Sequence, residues 1–157
     1  MRILVFSDCH GRVSRAQTAI EAQPEAKDIF YLGDGAKQVA GLIEIYPDRR
    51  FHIVSGNCDF GANFPESGIK TVNGARIFYT HGHNFGVKYG TERLLETAGS
   101  AGADIVLYGH THVADTRFTD GIHLVNPGAL SGGRCGYDSY AVIDILPSGI
   151  MPIIIKL

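Results

Sequence analysis

The sequence predicts an α/β fold of two packed, mixed β-sheets flanked by helices, with residues 1–157 forming one domain. Three observations lead there. Apolar runs of strand length recur through the first two-thirds of the chain, at Ile3–Phe6, Asp28–Leu32, Phe51–Val54, Arg76–Tyr79 and Asp104–Tyr108. Segments of helical period lie between several of them. The last third changes character, with runs Gly121–Val125, Tyr140–Leu146 and Ile150–Ile155 separated by Gly, Pro and Ser turns. Pro147-Ser148-Gly149 reads as a hairpin turn there. A largely parallel sheet packed on a partly antiparallel one, helices outside, accommodates both halves.

The helices are placed by period and end signals. Ser14 is the expected cap of the first, with Gln17 reaching back as in a capping box, and Pro24 lies beyond its end. A second, from about Ala36 to Tyr46, places Val39, Leu42, Ile43 and Tyr46 on one face before Pro47 closes it. A third starts near Thr91, carries Leu94, Leu95 and Ala98, and stops in the Gly99–Gly102 stretch. Phe60–Ser67, rich in Gly and Pro, reads as a long loop that either covers a site or presents a partner surface.

Composition excludes several classes of function. A hydrophobic content of 45% fills one core without help from disulfides. Cys9, Cys58 and Cys135 are odd in number, scattered, and lack CxxC spacing, which points to reduced thiols and a cytoplasmic protein. The formal net charge of −2 and the absence of a long basic run give no general nucleic-acid surface and no membrane-surface patch. Met1–Phe6 is too short for the apolar core of a signal peptide, and no stretch approaches the roughly 20 apolar residues of a membrane span.

The informative feature is the polar ending of each of the first five runs. They lead into Asp8-Cys9-His10, Gly33-Asp34, Gly56-Asn57-Cys58-Asp59, His81-Gly82-His83 and Gly109-His110-Thr111-His112. Five of the seven histidines fall in these endings, so their clustering is not a matter of composition. In α/β sheets ligands bind outside the carboxyl ends of the strands, where such endings converge. In extended chain Asp8 with His10, and His110 with His112, would each address one centre. Glycines at 33, 56, 82 and 109 let the backbone turn beside it. Imidazole mixed with carboxylate and amide oxygen suits borderline divalent ions such as Mn, Fe, Zn or Ni better than Ca or Mg.

Taken in order, Asp8-x-His10, Gly33-Asp34, Gly56-Asn57-x-Asp59, His81 and Gly109-His110-x-His112 resemble the motifs of the calcineurin-like metallophosphoesterases. Within them the chain is most similar to the small phosphodiesterase branch of YfcE type, whose Asn-Pro-Gly turn matches Asn126-Pro127-Gly128. The resemblance implies a metallophosphoesterase-like sandwich. It also implies two divalent transition-metal ions, manganese first, with nickel, zinc or iron as alternatives. One ion falls to Asp8, His10, Asp34 and His112, the other to Asp34, Asn57, His81 and His110, so that Asp34 bridges. These seven residues are the implied catalytic set. A hydroxide between ions roughly 3.5–4 Å apart is the implied nucleophile.

The chain departs from many superfamily members at Cys58, where a histidine usually serves the leaving oxygen or the phosphate. A cysteine also occurs in the YfcE-like branch, and the departure favours activated diesters. The expected function is thus phosphodiester hydrolysis on a small phosphate ester, with nucleotide-like compounds among the candidates. A phosphomonoesterase, or a non-catalytic metal-binding scaffold like the retromer subunit of similar fold, is the alternative. A homo-oligomer is compatible with the sequence. Asp59 is expected to steady its loop, Cys9 to face away from the site, and His52 and His123 to be structural. Asn126 and Gly128 are expected to shape a turn beneath the site. His83, Arg12 and Arg134 are left between a substrate contact and an ordinary surface role.

Overall fold

A computed structural model describes all residues, Met1–Leu157. Two five-stranded sheets stack face to face. The first has the order β10-β9-β1-β2-β3, built from β1 (Arg2–Phe6), β2 (Asp28–Tyr31), β3 (Arg50–Ile53), β9 (Ser139–Leu146) and β10 (Gly149–Lys156). β1, β2 and β3 run parallel, while β9 and β10 are antiparallel to their neighbours. The second has the order β4-β5-β6-β8-β7, from β4 (Ser67–Val72), β5 (Ala75–Thr80), β6 (Ile105–Leu107), β7 (Ala114–Thr119) and β8 (Ile122–Pro127). Its centre, β5-β6-β8, is parallel, and β4 and β7 are antiparallel edges.

Apolar residues on both faces of each sheet explain why the predicted runs are continuous rather than alternating. Ile3, Val5, Phe30 and Leu32 meet Ile77, Ile105, Leu107 and Val125 between the sheets. On the outer face of the first sheet, Leu4, Phe6 and Tyr31 pack against Ala16, Ala19 and Ile20 of α1 (Val13–Glu21) and Val39 of α2 (Ala36–Ala40). On the outer face of the second, Phe78, Val106 and Leu124 pack against Leu94 and Ala98 of α4 (Glu92–Ser100). No helix is long and apolar enough to cross a membrane.

Several local expectations are corrected. α1 begins at Val13, so Ser14 lies within its first turn, Arg12 holds the cap position, and no side chain caps it. The backbone turn Arg12 N–H to Cys9 C=O (2.8 Å) sets the entry instead. The second expected helix is broken at Gly41 into α2 and α3 (Leu42–Ile45), which turns Ile43 out to solvent. Two strands went unforeseen. β4 and β7 are edges with mostly exposed residues, so neither carries the apolar run of a buried strand. Gly121–Val125 belongs to a hairpin with β7 upstream, whereas Tyr140–Leu146 lies in the other sheet and pairs with β10 across the expected turn.

Candidate metal centre

Five loops leave the carboxyl ends of β1, β2, β3, β5 and β6 on the same side of the stacked sheets. They bring all seven sequence-singled residues together, though not by the extended geometry expected of i and i+2 pairs. Asp8, His10, Asp34, His110 and His112 all have left-handed backbones, with φ of 54°, 43°, 61°, 68° and 59°. Each such residue costs about 1–2 kcal/mol, strain of a kind concentrated at functional sites. Tight contacts hold it in place. A Cβ on Gly56 would collide with the Asp34 carboxylate, and one on Gly109 with the Ser7 hydroxyl, so these glycines serve close approach rather than positive φ.

The buried Asp8 and Asp34 carboxylates are each tethered by one oxygen. Asp8 Oδ2 accepts the His110 backbone N–H at 3.2 Å, and Asp34 Oδ1 accepts that of Cys58 at 2.8 Å. The second oxygens are left facing imidazoles. Asp8 Oδ1 lies 3.1 Å from His112 Nε2 and 3.9 Å from His10 Nε2. Asp34 Oδ2 lies 3.6 Å from His81 Nε2 and 4.0 Å from His10 Nε2, between the two groups of histidines.

The outer partners of the histidines decide which nitrogen presents a lone pair. His81 Nδ1 lies 2.6 Å from the Leu32 carbonyl and His112 Nδ1 3.1 Å from that of Gly132. A carbonyl only accepts, so each Nδ1 carries a proton, and in the neutral form of each ring the Nε2 lone pair is the one turned inward. There His81 Nε2 meets Asn57 Oδ1 and His110 Nδ1, both at 3.1 Å, and His112 Nε2 meets His10 Nε2 at 3.4 Å. Lone pairs and carboxylate oxygens converge without enough donors, and the buried Asp8 Oδ1 has only the His112 ring close to it. A cation is what such a set accommodates. Asp8, His10 and His112, and separately Asp8, Asp34 and His81, bring ligand atoms within 4.8 Å of one another. The residues therefore fit the divalent ions the sequence implied, with Asn57 and His110 beside His81.

Protonation reflects the same arrangement. The hydrogen bond with Asp8 raises the His112 imidazole above its ordinary value against the effect of burial. Burial pushes Asp8 up, but His112 and His81 outweigh it and hold the carboxyl low. His110 falls to about 4, from burial first and then from His81 and Lys88 nearby.

Asp59 braces the centre from behind. Its carboxylate accepts the backbone N–H groups of Asp34, Gly35, Ala36 and Gly56, each at 2.8 Å, so one side chain fixes both the Asp34 and the Asn57 loops and covers the start of α2. Tyr31, not singled out from the sequence, donates its buried hydroxyl to the Asp34 carbonyl at 2.8 Å. Asn126 donates to the Gly109 carbonyl and to Thr111 Oγ1, both at 3.1 Å, and accepts from Gly128 N–H at 3.0 Å, which supports the His110 loop from below.

The other residues singled out from the sequence divide between core, surface and site. Cys9 is buried in the core beside Tyr31, away from the site. Cys58 is exposed beside His10 and Asp34, and burial of its sulfur and then the nearby Asp34 raise its thiol pKa. His52 binds Asp28 at 2.9 Å and stacks on Phe30, and His123 packs on Phe118. His83 is half-buried with its ring 5.3 Å from that of His81, and its Nδ1 has no partner. Arg12 is exposed without a side-chain hydrogen bond, whereas Arg134 lines a cavity beside the His110–His112 loop.

Comparison with known proteins agrees with this geometry. Residues 1–147 match the model of the calcineurin-like phosphoesterase superfamily domain. The probable metallophosphoesterase YsnB of Bacillus subtilis is 30% identical over 148 residues, 92% of this chain and 85% of YsnB. The phosphodiesterase YfcE of Escherichia coli is 28% identical over 171 residues, 92% of this chain and 88% of YfcE. The crystal structure of a predicted phosphoesterase from Streptococcus pneumoniae TIGR4 superposes with a TM-score of 0.80 at 25% identity, covering 98% of this chain and 97% of that one. With the family's motifs in order on a matching fold, the chain belongs to the calcineurin-like phosphoesterase superfamily, in its YfcE-like branch.

Proposed function

We propose that the protein is a dinuclear metal-dependent phosphodiesterase, with manganese as the favoured ion, acting on a small phosphate diester. The single observation carrying this is the paired donor deficit around Asp34, whose free oxygen faces His10 on one side and His81 on the other. One ion would fall to Asp8, His10 and His112, the other to Asn57, His81 and His110, with the Asp34 oxygen that faces both His10 and His81 as the bridge.

Divalent ions held by these residues would supply a water acidified toward neutral pH and offset charge on the phosphate. The chain's own residues do the rest. Leu32 and Gly132 hold His81 and His112 in the tautomer that faces inward, and Cys58 N–H and His110 N–H turn one oxygen of each carboxylate aside so that the other is presented. The neutral thiol of Cys58, its pKa raised, is a poor acid for a leaving alkoxide. This supports diesters with good leaving groups over monoesters. The relative named a phosphodiesterase supports the same class. Retention of every implied ligand supports an enzyme over a scaffold.

The test is to strip the protein of metal, restore Mn, Ni, Zn, Fe or Mg, and follow bis(p-nitrophenyl) phosphate and p-nitrophenyl phosphate. The expected result is diester hydrolysis restored by metal and abolished in Asp8→Ala and Asn57→Ala. Stoichiometric metal binding without turnover of either ester would overturn the enzymatic reading in favour of the scaffold.

A further inference from the structure

The loop that presents His110 and His112 also walls a cavity of about 350 Å³. Lys88, Tyr108, Thr111, Val113, Asp115 and Arg134 line it. Thr111 lies between the two histidines in sequence, so the cavity and the metal centre share this loop as a wall. Arg134 is stapled to the same loop, its backbone N–H donating to the His112 carbonyl at 2.8 Å.

The charges in the cavity do not cancel. Asp115 is matched by Arg117 at 2.6 Å and receives the Tyr108 hydroxyl at 3.3 Å. Lys88 and Arg134 make no salt bridge, and both are exposed. Two cations without a salt-bridge partner thus line the same cavity as Tyr108 and Val113 in a protein of net negative charge. The volume lies at the lower end of small-ligand sites, enough for a nucleoside-sized group and too little for a folded partner. Paired cations beside an apolar wall select a compact anion carrying an apolar body.

We propose that this cavity seats the alcohol side of the diester, and that the preferred alcohol carries a second phosphate held between Lys88 and Arg134. The substrate class is then a diester of a phosphorylated alcohol of nucleotide size. In its hydrolysis, water adds to phosphorus, the ester P–O bond breaks, and the alcohol leaves with a proton and its own phosphate intact. The proposal rests on the phosphodiesterase reading and adds the substrate to it.

Two measurements test it. The first is equilibrium binding of thymidine 3′-phosphate, a model of the released alcohol, to the metal-free protein. Binding is expected to weaken at least about tenfold in Lys88→Ala and in Arg134→Ala, as for loss of a charged hydrogen-bond partner, and to return in Lys88→Arg. The second compares a dithymidine dinucleotide bearing a 3′-terminal phosphate with the same dinucleotide ending in a hydroxyl. The metal-loaded protein is expected to favour the first by about tenfold through KM, and the preference should collapse in either alanine variant. No nucleotide binding, or binding and preference indifferent to both substitutions, overturns the proposal. Nucleotide binding that obeys the prediction while no diester, bis(p-nitrophenyl) phosphate included, is turned over leaves the cavity assignment standing and removes the phosphodiesterase reading.

Discussion

His81 donates its Nδ1–H to the carbonyl oxygen of Leu32 at 2.6 Å, and that bond turns its Nε2 toward the Asn57, His110 and Asp34 side chains. A strand-end carbonyl thus decides the chemistry of a ring 49 residues away in sequence. His81→Ala is expected to lower bound metal from two equivalents to one. Diester hydrolysis should fall by more than about a hundredfold, the upper range for losing even an outer partner of a metal ligand. Metal analysis after gel filtration, beside the diester assay, checks both.

Proton competition at His112 stems from its 3.1 Å contact with Asp8. The hydrogen bond with Asp8 raises the imidazole above about 6.5, so the metal-free centre keeps this proton to higher pH than a free histidine would. An entering ion displaces it. Metal affinity is therefore expected to climb with pH through and above the ordinary imidazole range. Titration calorimetry near pH 7 should show proton release as a dependence on buffer ionisation enthalpy. His110, held near pKa 4, adds no competing proton there.

Asp59 joins two loops through four backbone donors. Asp59→Ala strips all four of their acceptor and is expected to destabilise the fold by about 2–4 kcal/mol, with weaker metal binding. Asp59→Asn should not rescue, because its amide nitrogen would face donors. Denaturant unfolding of the metal-free variants separates the stability effect from the metal effect.

Acid sensitivity is expected from Asp28, far from the metal centre. Burial raises its carboxyl, but Arg50 and His52 outweigh burial and bring it below the ordinary value. A depressed folded-state pKa contributes stability that is complete above the unfolded value of about 3.9 and is lost as pH falls through the folded one. The stability advantage of the wild type over Asp28→Asn should therefore be full at neutral pH and shrink below about pH 4. Denaturant midpoints at several pH values measure it.

Cys58→His places an imidazole beside Asp34 where the exposed thiol now stands. Supplying a general acid accelerates departure of a poor leaving group, in general by roughly 10²–10⁴. The substitution is expected to raise monoester turnover relative to diester turnover by roughly tenfold or more. A ratio that does not move would show that position 58 does not limit leaving-group departure.

The core strands and the metal-facing residues are legible in the sequence for one reason: both are buried or sit next to buried chain. Ile3–Phe6 and Ile105–Tyr108 are apolar on both faces because sheets or helices cover both, so they stand out as runs. β4 and β7 are half-solvated edges whose polar residues carry no such signal. The order of Asp8, Asp34, Asn57, His81 and His110 is readable because each comes just after a strand. Their manner of convergence is not. The left-handed backbones at Asp8, His10, His110 and His112 replace the extended pairs, and main-chain carbonyls of Leu32 and Gly132 set the tautomers. A carbonyl leaves no mark in a sequence. Tyr31 is hidden for a related reason, since one aromatic in an apolar run gives no hint that its hydroxyl holds Asp34.

The most direct test of the dinuclear centre is a titration of metal-stripped protein with manganese, with bound metal and bis(p-nitrophenyl) phosphate hydrolysis followed together. The first equivalent is predicted to bind with little turnover and activity to rise as the second binds, while Asp34→Asn, altering the proposed bridge, abolishes the second phase. Full activity at one equivalent, or none at two, would contradict it.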